Sequence, residues 1–204
     1  VQSRITAWWP DGSIKWAAHT AEASKMGQEV SLTAQIKSGE VSEETAELVS
    51  MITRRDDNWL YIDNGVLSLK VPTGKNVTDI LAEDIFLNGK LRVKKASPVL
   101  YLEEQGNKNS TNFDLDGQTK VTRAYKAAIT AITVEEDGPL ALTIKAEGSY
   151  RNHSQNQNKM KFCIRMYINK DSSDIHFVHT FFFDGDEQTD FLKGLGIRFN
   201  TVLE

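Results

Sequence analysis

Cysteine is almost missing: Cys163 stands alone in 204 residues. That excludes an internal disulfide and any cysteine-rich zinc site. Proline is scarce, at 4, and no segment is low in complexity. No apolar run reaches the roughly 18 residues that a membrane-spanning helix needs. No block of basic charge occurs either. Lys and Arg total 24 against 28 Asp and Glu, a net charge of −4, and the cations are scattered. A general nucleic-acid or acidic-membrane partner therefore loses its electrostatic driving force. Ser/His/Asp signatures, Gly-rich phosphate loops and zinc-protease motifs are absent. So are an initiator Met, a signal peptide and a lipidation motif. The first residues already read as a strand, and the expectation is a piece of a longer protein.

What is present is strand pattern almost everywhere. Arg4–Trp9 alternates, turns at Pro10-Asp11-Gly12-Ser13, and returns as Ile14–Thr20, a β-hairpin with Trp8 and Trp9 on one arm and Trp16 on the other. Val30–Ile36 alternates as a half-buried strand. Ala46–Thr53 reads as extended, with a short helix as the alternative. A second block opens with Trp59–Ile62 and Val66–Val71 around Asp63-Asn64-Gly65. Ile80–Leu87, Leu91–Val93 and Val99–Leu102 follow, and Glu103–Gln118 reads as a long loop or a Gly-punctuated hairpin. Lys120–Val134, Leu140–Tyr150, Met160–Ile168, Ile175–Phe183 and Phe191–Phe199 close the chain as strands. In Met160–Ile168 every second residue is apolar. A helix would scatter those positions around its surface, whereas a sheet puts them on one face. Several such strands in succession need a second sheet over that face, so the fold class is all-β with a sandwich. The first ~52 residues hold about four strands, which looks like half a domain.

Candidate sites are sparse. Asp184, Asp186 and Glu187, with Asp190 beyond, concentrate carboxylates in one loop. Ca²⁺ is the cation such a loop would take, although the EF-hand spacing is not matched and a solvated turn is the commoner explanation of such residues. Asp114 and Asp116 form a shorter cluster of the same kind. His176 and His179 are three apart in a strand and face opposite sides, so they cannot share a metal. His179 lies on the face of Ile175, Phe177 and Phe181. It reads either as a core histidine or as an imidazole at a cleft edge for proton transfer. Trp8, Trp9 and Trp16 offer a sugar-stacking platform or, alternatively, the core of a small barrel. Cys163 lies mid-strand with no sign of an activated thiol.

The run Trp9-Pro10-Asp11-Gly12-Ser13-Ile14-Lys15-Trp16 resembles a hairpin signature of the rhamnogalacturonan exolyase/YetA-like family, polysaccharide lyase family 26 and its relatives. Phe191-Leu192-Lys193-Gly194-Leu195-Gly196-Ile197-Arg198-Phe199 is similar to the end of that family's central sandwich. The resemblance implies a partial RIFT-type β-barrel over residues 1–52 and an antiparallel β-sandwich over 53–204. It also implies a helical α/α-toroid, outside this chain, that holds most of the catalytic machinery. The implied reaction is β-elimination on a uronic-acid polysaccharide. That needs a base for the proton α to the carboxyl and a cation, Arg or Asn to hold the carboxylate. No base maps by motif. His179 and the Asp184–Glu187 loop are the nearest candidates, at the sandwich end where a toroid would pack. A periplasmic or extracellular setting is implied by the resemblance alone. Two other readings stay open: a carbohydrate-binding module using exposed tryptophans, and a structural β domain without a glycan role.

Overall fold

The computed structural model describes residues 1–22, 50–105, 120–152, 157–187 and 190–203. The expected strand at 30–36, the acidic pair Asp114 and Asp116, and most of the expected 103–118 loop lie outside the described residues. Every described element is a β-strand, paired antiparallel throughout.

Strands β1 (Gln2–Trp8) and β2 (Ile14–Thr20) form a two-stranded sheet of their own. Its turn follows from local chemistry. Gly12 N–H bonds the Trp9 carbonyl at 3.0 Å, and Gly12 has φ +85°, a conformation that costs glycine nothing. Pro10 supplies the fixed φ that the turn's second position wants. Asp11 accepts bonds from the Ser13 amide and hydroxyl at 2.9 and 2.7 Å. Those donors, the hydroxyl foremost, hold its carboxyl below the usual carboxylate range.

The remaining strands run β3 (Ile52–Arg55), β4 (Trp59–Asp63), β5 (Leu67–Pro72), β6 (Ala82–Leu87), β7 (Lys90–Gln105), β8 (Lys120–Asp137), β9 (Ala141–Asn152), β10 (Gln157–Asn169), β11 (Ile175–Phe181) and β12 (Asp190–Thr201). Hydrogen bonding links them in the order β11-β10-β9-β8-β7-β6-β5-β4-β3, and β12 lies along β7. The ladder folds over on itself at β7. Residues 90–96 of β7 pair with β6, while residues 99–105 pair with β8. One core cluster accordingly joins Leu60, Ile62 and Leu69 from one layer to Ile144, Ile164 and Met166 from the other. Phe177 of β11 meets Phe199 of β12 with ring centroids 6.0 Å apart, which closes one edge of the sandwich.

β7 corrects the sequence reading. Leu91–Val93 and Val99–Leu102 are not two strands but parts of one 16-residue strand that runs through Pro98 and on to Gln105. Proline removes a ladder donor, so it is normally confined to edges and irregularities. Here it sits at the changeover, after the last β6 pair at Ala96 and before the first β8 pair at Val99. Glu103 and Glu104, expected in a loop, pair with both β8 and β12, and Gln105 pairs with β8.

β10 shows the alternation at full strength: Met160, Phe162, Ile164, Met166 and Ile168 are buried, and the residues between them are not. Each such side chain contributes roughly 1.5–3 kcal/mol on leaving water. Asn64 fastens the layers where they meet. Buried in the β4–β5 turn, it donates to the carbonyls of Asn169 and Ser172 at 2.7 and 2.9 Å. Its side-chain oxygen accepts from the amides of Val66 and Leu67. A buried amide with its capacity filled this way holds a unique register rather than costing desolvation.

Candidate functional site

The hairpin joins the sandwich through polar contacts. The Gln2 amide donates to Glu136 and to the Ala141 carbonyl, and its oxygen accepts from the amides of Leu140 and Ala141 at 2.8 and 2.9 Å. Arg4 pairs with Glu136 at 2.9 Å. Glu135 sits at the centre of the adjoining charges. It accepts two bonds from Arg165 at 2.8 and 3.0 Å, with Lys145 and Arg4 about a bond-length further off, at 3.9 and 4.0 Å. The Arg165 bonds above all hold the Glu135 carboxyl below its ordinary range. None of these partners is adjacent in sequence, so no local pattern announces the joint.

The tryptophans lie at the other end of the hairpin. Gln2 pairs with Thr20 at the root, and Trp8 pairs with Ile14 at the tip. At about 3.3 Å per residue that separation is close to 20 Å. Trp8 is 58% exposed, Trp9 50% and Trp16 64%. The Lys15 ammonium covers the Trp9 ring at 4.3 Å from its centroid. The described residues thus leave three indole rings open at the tip.

His179 lies inside the sandwich edge. It pairs with Ile164 in register, and its Nε2 is 3.1 Å from the Tyr150 hydroxyl. Phe162 and Phe181 pack on its ring edge-on, with centroids 5.9 and 6.2 Å away. Burial lowers its pKa, so the imidazole is neutral near pH 7, and burial pushes the Tyr150 phenol well up. His176 faces the other way, against Tyr167. The two histidines are not brought together.

The acidic loop is engaged with its own backbone and with a lysine. Asp184 accepts the Met160 amide at 2.7 Å, where Met160 forms a bulge with φ +48°. Buried Asp190 accepts the Asp186 amide at 3.0 Å and pairs with Lys159. Glu187 is exposed. Among the described residues no three His, Cys, Asp or Glu side chains converge as a metal site. A Ca²⁺ needs several oxygens at one point, and Asp184 and Asp190 already serve other donors. Apolar residues flank this loop on both sides. Phe181, Phe182 and Phe183 precede it, Phe191 and Leu192 follow it, and all five are exposed.

Two concave surfaces stand out. A cleft of about 830 Å³ opens between the β3–β4 turn and β8, lined by Arg55, Asp56, Asp57, Thr73, Lys75 and Ile132 among others. Its charges are partly spent: Lys75 pairs with Asp57 at 2.6 Å, and Asp56 caps the amides of Asn58 and Trp59. A second groove, of about 410 Å³, crosses the outer face of β9, β10 and β11. Sequence reasoning did not single out its Lys161 and Phe182. The β10 alternation already placed Lys161 outward, and three consecutive Phe at 181–183 cannot all face a core.

Comparison with known proteins is consistent over the whole chain. Residues 50–204 match the family model of the PcRGLX-like protein central β-sandwich domain. Residues 1–35 match the PcRGLX-like N-terminal RIFT barrel domain. A Bacillus subtilis (strain 168) protein, the uncharacterised YetA, is 29% identical over all 204 residues. The chain spans 22% of that relative's length.

Proposed function

The chain belongs to the PcRGLX-like protein family, and from that premise we propose that it is the β scaffold of a larger polysaccharide lyase-like protein. In this reading it does not carry the chemistry itself. It positions a helical domain that acts on a uronic-acid polysaccharide outside the cell or in the periplasm.

The observation that supports this most is the state of the ionisable groups. β-Elimination needs a base within reach of an acidic carbon proton and a cation at the neighbouring carboxylate. The described imidazole nearest to that role, His179, is committed to Tyr150 and enclosed by phenyl rings. Of the described carboxylates of the 184–190 loop, Asp184 and Asp190 serve amides and Lys159. Meanwhile Phe181, Phe183, Phe191 and Leu192 leave apolar side chains exposed at one end, as a face meant for another domain would.

The test is a lyase assay that follows unsaturated uronate product from pectic substrates. This chain alone is expected to be inactive, and a version extended to the length of its relative is expected to cleave. Cleavage by the 204-residue chain itself, or none by the long form on any acidic glycan, would overturn the proposal. A second reading, glycan binding by the hairpin tip, is favoured by its three open indoles. It predicts that Trp8→Ala and Trp9→Ala weaken glycan retention without altering the fold.

A further inference from the structure

We propose that the outer face of β9–β10–β11 carries a subsite for a carboxylate-bearing pyranose chain, seated on Phe182 and held by Lys161. The proposal rests on the acidic-glycan reading above and adds a binding site remote from the tryptophans.

Strand register sets out the site in two rows. Lys161 pairs with Ser149, and the Phe182 amide bonds the Lys161 carbonyl at 2.8 Å, so Ser149, Lys161 and Phe182 form one row. Cys163 pairs with Glu147 on one side and Thr180 on the other, which forms the second. Rows two residues apart along a strand are separated by about 7 Å, room for one sugar ring between them. The groove stays open because its floor is small. Cys163 and Ser149, which line it, carry short side chains.

The chemistry is complementary to a uronate. Phe182 is 74% exposed, a ring on which the C–H face of a pyranose can lose water. Ser149 and Thr180 supply hydroxyls for ring oxygens and alcohols. Glu147 is neutralised locally by Lys145 at 2.9 Å. Lys161 has no carboxylate within ion-pair distance among the described residues, so the groove presents one unspent positive charge. A carboxylate is the group that a lone ammonium in a hydroxyl-lined groove favours.

Cys163 lines the groove and is the chain's one thiol, partly exposed. Its alkylation by iodoacetamide therefore reports occupancy. Oligogalacturonate should slow that alkylation saturably by several-fold, and a neutral galacto-oligosaccharide should slow it far less. Lys161→Ala and Phe182→Ala change only exposed side chains, and each should abolish the protection with the thermal midpoint unchanged. Amide chemical-shift changes at Lys161, Cys163 and Thr180 provide a second readout that does not depend on thiol reactivity. No protection and no shift change at these residues would overturn the site, as would protection that survives Lys161→Ala. The lyase assay separates the two claims. Activity in the long form with an unresponsive groove removes only the subsite, and a responsive groove without activity removes only the enzymatic reading.

Discussion

The hairpin and the sandwich use the same period-2 pattern with opposite results. In β10 the alternate residues Ile164, Met166 and Ile168 are fully buried. In β1 and β2 the largest side chains, Trp8 and Trp16, are more than half exposed among the described residues. Alternation therefore specifies a face and not its burial. Burial comes from a second layer, which β4 and β5 supply to β10 and no described strand supplies to the hairpin. The joint between the regions is polar, so the hairpin's placement depends on hydrogen bonds rather than on a shared core.

The contrast can be broken most severely inside the sandwich. Ile164→Ala should cost about 2–5 kcal/mol by cavity formation, read as a lowered denaturant midpoint. Gln2→Ala comes next. It strands the amides of Leu140 and Ala141 at the joint, about 1–3 kcal/mol of local cost. Hydrogen exchange should quicken at those two amides and along β1, while β10 keeps its protection. Glu135→Gln should cost about 1 kcal/mol through the loss of the charged partner of Arg165. It should also flatten the acid limb. Because the folded pKa of Glu135 lies below its ordinary 4.5, the unfolded chain binds its proton first, and stability drains as pH falls from about 4.5 through the folded value. His179 gives a slope at higher pH. Its folded pKa is depressed below 6.5 by burial, so stability is full above 6.5 and declines as pH falls through the interval beneath it. His179→Phe should remove that slope in urea titrations repeated across pH. The smallest effect is Trp16→Ala, within about 0.5 kcal/mol of unchanged stability. A much larger loss would mean that the indole is covered after all and would erase the contrast.

Strand identity was legible wherever alternation was strong, as in Met160–Ile168, and the hairpin turn was legible from Pro10, Asp11 and Gly12. Long-range features were not. Pro98 reads as a strand breaker until its neighbours on both flanks are known. Asn64 reads as an ordinary turn residue, yet its amide reaches carbonyls more than 100 residues away. Asp184 reads as a metal candidate because a carboxylate's spacing does not reveal that a bulged amide at Met160 uses it. Gln2 and Arg4 have no local signature at all, since their partners lie far along the chain, at the end of β8, in the turn and at the start of β9.

The run of β12 along β7, from Asp190 opposite Glu104 to Thr201 opposite Val93, has a mechanical consequence. β7 is stitched to both layers, so tension applied along β12 must shear many bonds at once instead of unzipping them singly. A tether drawn from that end should meet its greatest resistance before either layer opens, which makes β12 a firm point from which force reaches the whole sandwich.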